Sequence, residues 1–255
     1  MSSCTAHPLL SDAEFMELLA LTEHADSVEL KLTIDEHNQR RTLKSLDVDP
    51  LDAEIRQVFF FDTPDLQLSS AGVVVRARRV QGRGDDTVVK LRPVVPERLS
   101  KRLRASAGFG IEVDAMPGGF VCSGSMKRAL PRAHVADAVD GERSVRKLFS
   151  KEQRAFYEVY APDGLELRDL SVLGPVFVLK LRMRPPDYDR KLVAEIWLYP
   201  DDSHILELST KCAPSEALDV ADQTRAFLAA RGVDGSGEQH TKTRKALEFF
   251  AERGL

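Results

Sequence analysis

The chain contains several short segments in which apolar and charged residues alternate at every second position. In the segment "VVVRARR" (73–79), Val73, Val75 and Ala77 alternate with Arg76 and Arg78. A period of two is typical of a β-strand that buries one face. The charged face of such a strand points either to bulk water or into an enclosed polar space, and this choice constrains the fold more than any other feature.

The charged faces of these segments supply the candidate functional residues. Like charges directly opposite each other destabilise a sheet, so cations crowded inside a barrel would need an anion to offset them. A barrel of about eight antiparallel strands is just wide enough to hold a small ligand, and carboxylates in it would suit a hard divalent cation. The pattern leaves two interpretations open, solvated strand faces or a tunnel for a metal-chelated polyphosphate. The residues concerned are Glu29, Lys31, Arg76, Arg78, Lys90, Arg92, Glu112, Asp114, Lys180, Arg182, Arg184, Glu195 and Glu207.

Composition narrows the class of protein. A chain of 255 residues fits one large domain or two small ones. The formal net charge of −4 argues against a nucleic-acid partner. Cys4, Cys122 and Cys212 are far apart in the sequence, which predicts reduced thiols in a cytoplasmic protein. We expect no signal peptide and no membrane partner, because no apolar run approaches the ~20 residues that span a bilayer.

Local patterns predict the order of the elements. A capping box at Ser11 predicts a helix over about 12–23, and two further helices are expected over about 215–230 and 241–252. The segment at about 116–150 is rich in Pro, Gly, Ser and small residues and contains the weakly helical "DAVDGERSVRKLF", which predicts a helical insertion there. Strands are expected at 27–34, 72–80, 86–92, 108–115, 153–160, 165–171, 175–184, 192–199 and 204–211, with another in "EIRQVFFFD" (54–62).

Three phrases of the sequence resemble one known family. "VELKL", "FFFDTPDLQLSSAGVVVRARR" and "VVKLRP" follow in the order and spacing of the CYTH domain, the triphosphate tunnel metalloenzymes. The similarity is good over 27–115, looser over 154–211, and returns with "TKTRKALEFF" near the end. It implies an α+β fold, a closed antiparallel eight-stranded β-barrel with flanking helices. The domains would be an N-terminal helical extension (1–26) and a tunnel domain (27–255).

The resemblance also implies a binding site for a small-molecule triphosphate with Mg²⁺ or Mn²⁺. Lys31 and Arg76 would be catalytic. The metal ligands would be Glu29, Glu112, Asp114 and a late-strand glutamate, either Glu195 or Glu207. The substrate would be held by Lys31, Arg76, Arg78, Lys90, Arg92, Arg154, Lys180, Arg182 and Lys242.

Two positions depart from the family pattern. Ser27 stands where the opening Glu-x-Glu-x-Lys signature has its first glutamate, and Trp197 stands where a late strand often has a second carboxylate. The favoured function is a metal-dependent triphosphate hydrolase. The alternatives are a class IV-type adenylate cyclase and a noncatalytic triphosphate or nucleotide binder, which the two lost carboxylates would favour. The sequence does not decide between a monomer and a homodimer.

Overall fold

The strands enclose a barrel. The computed structural model describes residues 22–233, 235, 239 and 241–253. The strands in them are β1 (Ser27–Ile34), β2 (Glu54–Asp62), β3 (Val73–Val80), β4 (Asp85–Leu91), β5 (Phe109–Met116), β6 (Gly119–Leu130), β7 (Ser171–Met183), β8 (Leu192–Leu198) and β9 (His204–Cys212). Within the described residues these nine strands close in the order β1-β5-β6-β4-β3-β2-β7-β8-β9.

The barrel differs from the predicted one in strand number and in one pairing. It has nine strands in the described part of the chain, not eight, and β1 runs parallel to β5 while the other pairs are antiparallel. Strand β6 lies where the sequence predicts the start of a helical insertion, so that part of the prediction is wrong. Its glycines and serines hide the alternation in "GFVCSGSMKRAL", because small residues give a weak hydrophobic pattern.

The helices of the described residues lie between the strands along the sequence and after the last of them. The α-helices are α1 (Gln39–Ser45), α2 (Gln67–Ser70), α3 (Lys101–Arg104), α4 (His134–Val139), α5 (Lys151–Tyr160), α6 (Ala217–Ala230) and α7 (Lys242–Arg253). The last two confirm the predicted C-terminal helices, whereas the helix predicted over 12–23 lies outside the described residues apart from its final two. No helix among the described residues is both long enough and apolar enough to cross a bilayer.

Helix α5 occupies the segment in which a strand was predicted at 153–160. Ser150 caps it, accepting a hydrogen bond from the backbone of Gln153, whose side chain accepts one in return. This reciprocal capping box is a helix-start signal that outweighs the short apolar alternation. The strand predicted at 165–171 is also wrong, because these residues form turns until β7 begins at Ser171.

The outer face of the barrel is apolar and is covered by helices. Phe156 and Tyr157 of α5 lie in one apolar cluster with the outward Val75 and Ala77 of β3. Helix α6 covers β1 and β9 in the same way, placing Val220 among the outward residues. Because burying one such side chain stabilises the fold by roughly 1.5–3 kcal/mol, apolar outer faces and helices together supply the core. The charged faces are thereby directed inward.

The Asp-Thr-Pro turn after β2 has a structural role. The buried carboxylate of Asp62 accepts hydrogen bonds from the backbone N–H groups of Thr63, Leu68 and Ser69. Gly72 follows with a φ of +76°, and a Cβ there would lie 2.6 Å from the carbonyl oxygen of Arg92. The turn therefore requires both residues, and it sets the start of β3.

Candidate functional site

The inward face of the barrel carries the charged side chains that the alternation predicts. Arg76 pairs with Phe60 of β2 and points inward, whereas Val75 and Ala77 pack outward. The structure thus supports the enclosed polar space rather than solvated faces. The predicted residues on this inward face are Glu29, Lys31, Arg76, Arg78, Lys90, Arg92, Glu112, Asp114, Lys180, Arg182, Glu195 and Glu207.

Asp114 is the acidic centre of one side of the tunnel. Its carboxylate is fully buried and lies 2.7 Å from Lys31, 3.0 Å from Arg92 and 3.7 Å from Lys90. Burial alone would raise the pKa of this carboxyl, but the three cations outweigh burial and lower it to about 2. Asp114 is therefore ionised and attracts several bases to one point.

Lys31 is held as an ammonium between two acids. It lies 3.3 Å from Glu29 as well as close to Asp114. Burial would lower its pKa, but the carboxylates of Glu29 and Asp114 outweigh burial and raise the pKa above its ordinary value. This lysine stays charged at any ordinary pH.

Arg76 lacks the compensation that Lys31 has. Its Nε is buried without a hydrogen-bond partner, and no carboxylate lies within ion-pair distance of it among the described residues. Burial, and then repulsion from Arg78, lowers its pKa to about 9. Since an arginine side chain in a protein remains protonated, this shift indicates an unfavourable buried charge. Such a group is prepared to bind an anion.

Lys90 lies on the inward face of the neighbouring strand β4, and its ammonium is 3.7 Å from the carboxylate of Asp114. Burial lowers its pKa to about 8, Asp114 opposes the shift, and the charges of Lys31 and Arg92 add to it. Arg78 differs, since its Nε donates to Asp86 across 2.9 Å. Arg76 and Lys90 are thus the described cations of the tunnel whose charge is compensated least.

Three of the predicted metal ligands lie together. Glu29, Glu112 and Asp114 each offer a carboxylate oxygen, and these oxygens lie within 4.8 Å of one another. Register explains the cluster, because the parallel β1–β5 pairing sets Glu29 beside Asp114 and Ser27 beside Glu112. Glu112 also binds Lys211, a neighbour that sequence reasoning missed. This acid cluster is the part of the described chain that fits a hard divalent cation.

The other two predicted metal ligands are bound to lysines. Glu195 contacts Lys180 at 2.8 Å and also binds Lys242, while Glu207 lies 2.7 Å from Lys242. Burial would raise the pKa of Glu195, but Lys242 and Lys180 outweigh burial and lower it well below its ordinary value. Glu195 and Glu207, which are predicted metal ligands, thus pair with Lys242, which is a predicted phosphate contact. Their predicted roles stay predictions.

Trp197 forms part of the apolar wall beside these ion pairs. It is 3% exposed, lies with its ring centroid 6.5 Å from that of Phe60, and donates its Nε1 to Glu195 across 3.3 Å. The ammonium of Lys242 stands 5.2 Å from its ring centroid. The residue thus fills the space where a second carboxylate was expected.

Arg154 does not join the site. It lies on α5, outside the barrel, and its Nη1 donates to the carbonyl oxygen of Phe149 across 2.7 Å. The residues of α5 that face the barrel are Gln153, Phe156 and Tyr157, which pack against its outer surface. The prediction that Arg154 binds substrate in the tunnel is therefore not supported by its position.

Sequence reasoning missed several inward residues that obey the same alternation. Glu54 and Arg56 precede Val58 and Phe60 on the inward face of β2, and Asp86 precedes Lys90 on that of β4. Counting back by two from Lys90 would have found Asp86, whereas β2 carried no predicted site residue from which to reach Glu54 and Arg56.

Comparison with known proteins gives structural matches alone. No protein-family model and no curated protein matches the chain. A candidate adenylyl cyclase from Hippeastrum, which reveals a dominant triphosphatase activity, matches with a TM-score of 0.62 and 15% identity, over 87% of this chain and 95% of that one. A candidate adenylate cyclase from Bacillus halodurans matches with a TM-score of 0.58 and 13% identity, over 87% and 97%. The chain shares their fold.

This match confirms the resemblance to the CYTH domain at the level of the fold. The inward cations and acids described above follow from this chain's own strands, because the identity to the matched proteins is low. Cys122 and Cys212 are buried and unpaired, as expected of reduced thiols, and Cys4 lies outside the described residues.

Proposed function

We propose that the chain is a hydrolase that binds a triphosphate inside the barrel together with Mg²⁺ or Mn²⁺ and cleaves a phosphoanhydride bond. The observation that carries this proposal is the Nε of Arg76, which is buried without a hydrogen-bond partner on the same inward face that carries Lys90. Cations without partners in a dry cavity are unfavourable unless an anion of high charge density is bound.

Phosphoryl transfer depends mainly on positioning and on stabilising charge. Arg76, Arg78 and Lys90 would hold nonbridging phosphate oxygens, and Arg is suited to this by its fork of N–H donors. Because Arg78 is already paired with Asp86, we assign Arg76 and Lys90 the larger share of the binding energy.

The acid cluster of Glu29, Glu112 and Asp114 would hold the cation, since its oxygens are of the kind that Mg²⁺ and Mn²⁺ prefer. The bound cation would neutralise charge on the phosphates. Glu112 is engaged by Lys211 and Asp114 by three bases, whereas Glu29 has, within the described chain, a single ion pair, at 3.3 Å from Lys31. Glu29 is therefore the acid best able to orient the attacking water.

The test is a phosphate-release assay on tripolyphosphate, thiamine triphosphate and ATP with Mg²⁺ or Mn²⁺. We expect metal-dependent release of inorganic phosphate from at least one substrate, reduced by about a hundredfold in Glu29→Gln. Glu36→Gln, an exposed residue just after β1, is the matched control and should be as active as the native chain. Pyrophosphate with cyclic AMP as products, or no turnover at all, would contradict the proposal.

A further inference from the structure

A second group of arginines lies beyond the triphosphate site, at the end of the barrel where β2 begins. Glu54 stands at its centre, and Arg56, Arg83 and Arg182 all contact its carboxylate. We call Arg56, Arg83 and Arg182 the arginine cluster. One carboxylate faces three guanidinium groups, so the cluster carries an excess of positive charge that the described residues leave unbalanced.

The carboxylate of Glu54 cannot accept hydrogen bonds from all the N–H groups of these three arginines. Arg56 donates to Oε1 through Nε at 2.7 Å, and Arg182 reaches Oε1 and Oε2 at 3.3 and 3.4 Å. Arg83 donates to Oε2 through Nη2. A carboxylate offers about four lone-pair sites, whereas each guanidinium offers five N–H donors. The other N–H groups of the cluster have no acceptor within the part of the chain that the structure describes.

The arginine cluster continues the positive charge of the tunnel toward solvent. Burial, and then repulsion from Arg78, lowers the pKa of Arg56 to about 10, which places the charges of these two residues close together. Exposure of the side chains rises from 8% for Arg56 to 44% for Arg182 and 54% for Arg83. A ligand held at Arg76 would meet these guanidinium groups on its way out of the barrel.

We propose that the arginine cluster is a distal anion subsite that binds a phosphate group beyond the third phosphate of a linear polyphosphate. This inference rests on the proposed function, which accounts for the first three phosphates, and it specifies the substrate class as linear polyphosphates longer than three phosphates. Planar guanidinium groups with free donors match phosphate oxygens in bidentate geometry. The three guanidinium groups that meet at Glu54 favour a phosphate tail as the ligand of this subsite.

The inference is tested by calorimetry with tripolyphosphate and linear tetraphosphate in buffer with a chelator, so that turnover does not interfere. We expect the native chain to bind tetraphosphate about tenfold more tightly than tripolyphosphate. Arg83→Gln should reduce this ratio by about threefold to tenfold and leave the affinity for tripolyphosphate unchanged. Glu54→Gln, which removes the competing carboxylate, should raise the ratio.

Arg79→Gln is the matched control, because Arg79 lies on the outward face of β3 and donates to Gln57. It should leave the ratio at the native value. A ratio unchanged by Arg83→Gln, or tetraphosphate bound no more tightly than tripolyphosphate, would overturn the distal subsite while the proposed function stands. Failure of tripolyphosphate itself to bind the native chain, both in this buffer and again with added Mg²⁺, would instead overturn the proposed function.

Discussion

The ammonium of Lys242 lies 2.7 Å from Oε1 of Glu207, and this contact joins helix α7 to strand β9 inside the barrel. The same ammonium binds Glu195 of β8, and it lies over the ring of Trp197. Helix α7 also packs Leu247 and Phe250 into the apolar cluster at this end. A lysine at the first turn therefore anchors the C-terminal helix, and two carboxylates that could have met a cation are already neutralised.

Replacing Lys242 by Met should destabilise the fold, because it leaves the buried Glu207 without a counter-charge. Breaking a buried ion pair by removing one partner costs about 3 kcal/mol or more. Urea unfolding followed by the fluorescence of Trp197, the single tryptophan, measures the change in the free energy of unfolding.

Two further variants decide what Lys242 does. Arg244→Met removes an exposed pair with Glu248 on the same helix and should change stability by about 0.5 kcal/mol at most. Lys242→Met combined with Glu207→Gln should recover part of the loss, since no unpaired charge remains. If Lys242→Met is as stable as the native chain but binds tripolyphosphate weakly, Lys242 is a substrate contact and not an anchor.

Asp62 is expected to matter for stability and not for binding, although it lies in the most family-specific phrase of the sequence. Its carboxylate accepts three backbone hydrogen bonds in the turn that precedes β3. Asp62→Ala would leave three N–H groups of the turn without their acceptor, two of them buried, which costs on the order of 3 kcal/mol.

Thermal unfolding and tripolyphosphate titration of Asp62→Ala separate the two roles. We expect a lower unfolding midpoint with an unchanged dissociation constant below that midpoint. The control is Asp65→Ala, because Asp65 is exposed and contacts the side chain of Gln67. A native unfolding midpoint in Asp62→Ala would show that the turn does not depend on its carboxylate.

Strand alternation was sufficient to predict the inward residues of β1, β3, β4 and β5, because side chains of a strand strictly alternate between two faces. Alternation could not predict which charged side chains form ion pairs with one another. The contact of Lys31 with Asp114 depends on the parallel pairing of β1 with β5, and that of Arg92 with Asp114 spans β6. Such register is a property of the closed barrel and of no single segment.

The wrong predictions share a physical cause. Strand β6 has glycines and serines where an apolar face is expected, and α5 has apolar residues close enough in sequence to imitate a strand. In both cases packing on neighbouring elements outweighs local pattern, since Cys122 and Met126 of β6 are buried under other parts of the chain. Arg154 was misplaced for the same reason, because its helix was read as a strand.

Arg76 is expected to lower the stability of the ligand-free protein and to raise its affinity for polyphosphate. Its Nε is buried without a hydrogen-bond partner, so Arg76→Met should stabilise the ligand-free protein by about 1–3 kcal/mol. The same change should reduce the affinity for tripolyphosphate by about tenfold to a hundredfold, because charged hydrogen bonds to phosphate are lost. Arg79→Met, on the outward face of the same strand, is the control and should alter neither property. Lower stability together with native binding would contradict the assigned role of Arg76.

Lys90 should make polyphosphate binding depend on pH. Burial lowers its pKa to about 8 from an ordinary value of 10.5, so the free protein loses this charge as the pH rises through 8. Lys90 also makes the free energy of unfolding depend on pH, because the unfolded chain binds the proton more tightly than the folded chain. Stability should therefore rise between pH 8 and about 10.5 from this group. A bound polyanion favours the ammonium, so binding takes up a proton in this range.

Calorimetry at pH 7 and pH 9 in metal-free buffer tests this dependence. We expect the affinity for tripolyphosphate to fall by about tenfold in the native chain between these values, and less in Lys90→Arg, which stays charged. The protonation of the anion itself contributes equally to both proteins and cancels in their comparison. Titration at pH 8 in two buffers of different ionisation enthalpy should reveal proton uptake in the native chain that Lys90→Arg lacks. Equal pH dependence of the two proteins would show that Lys90 is not the titrating contact.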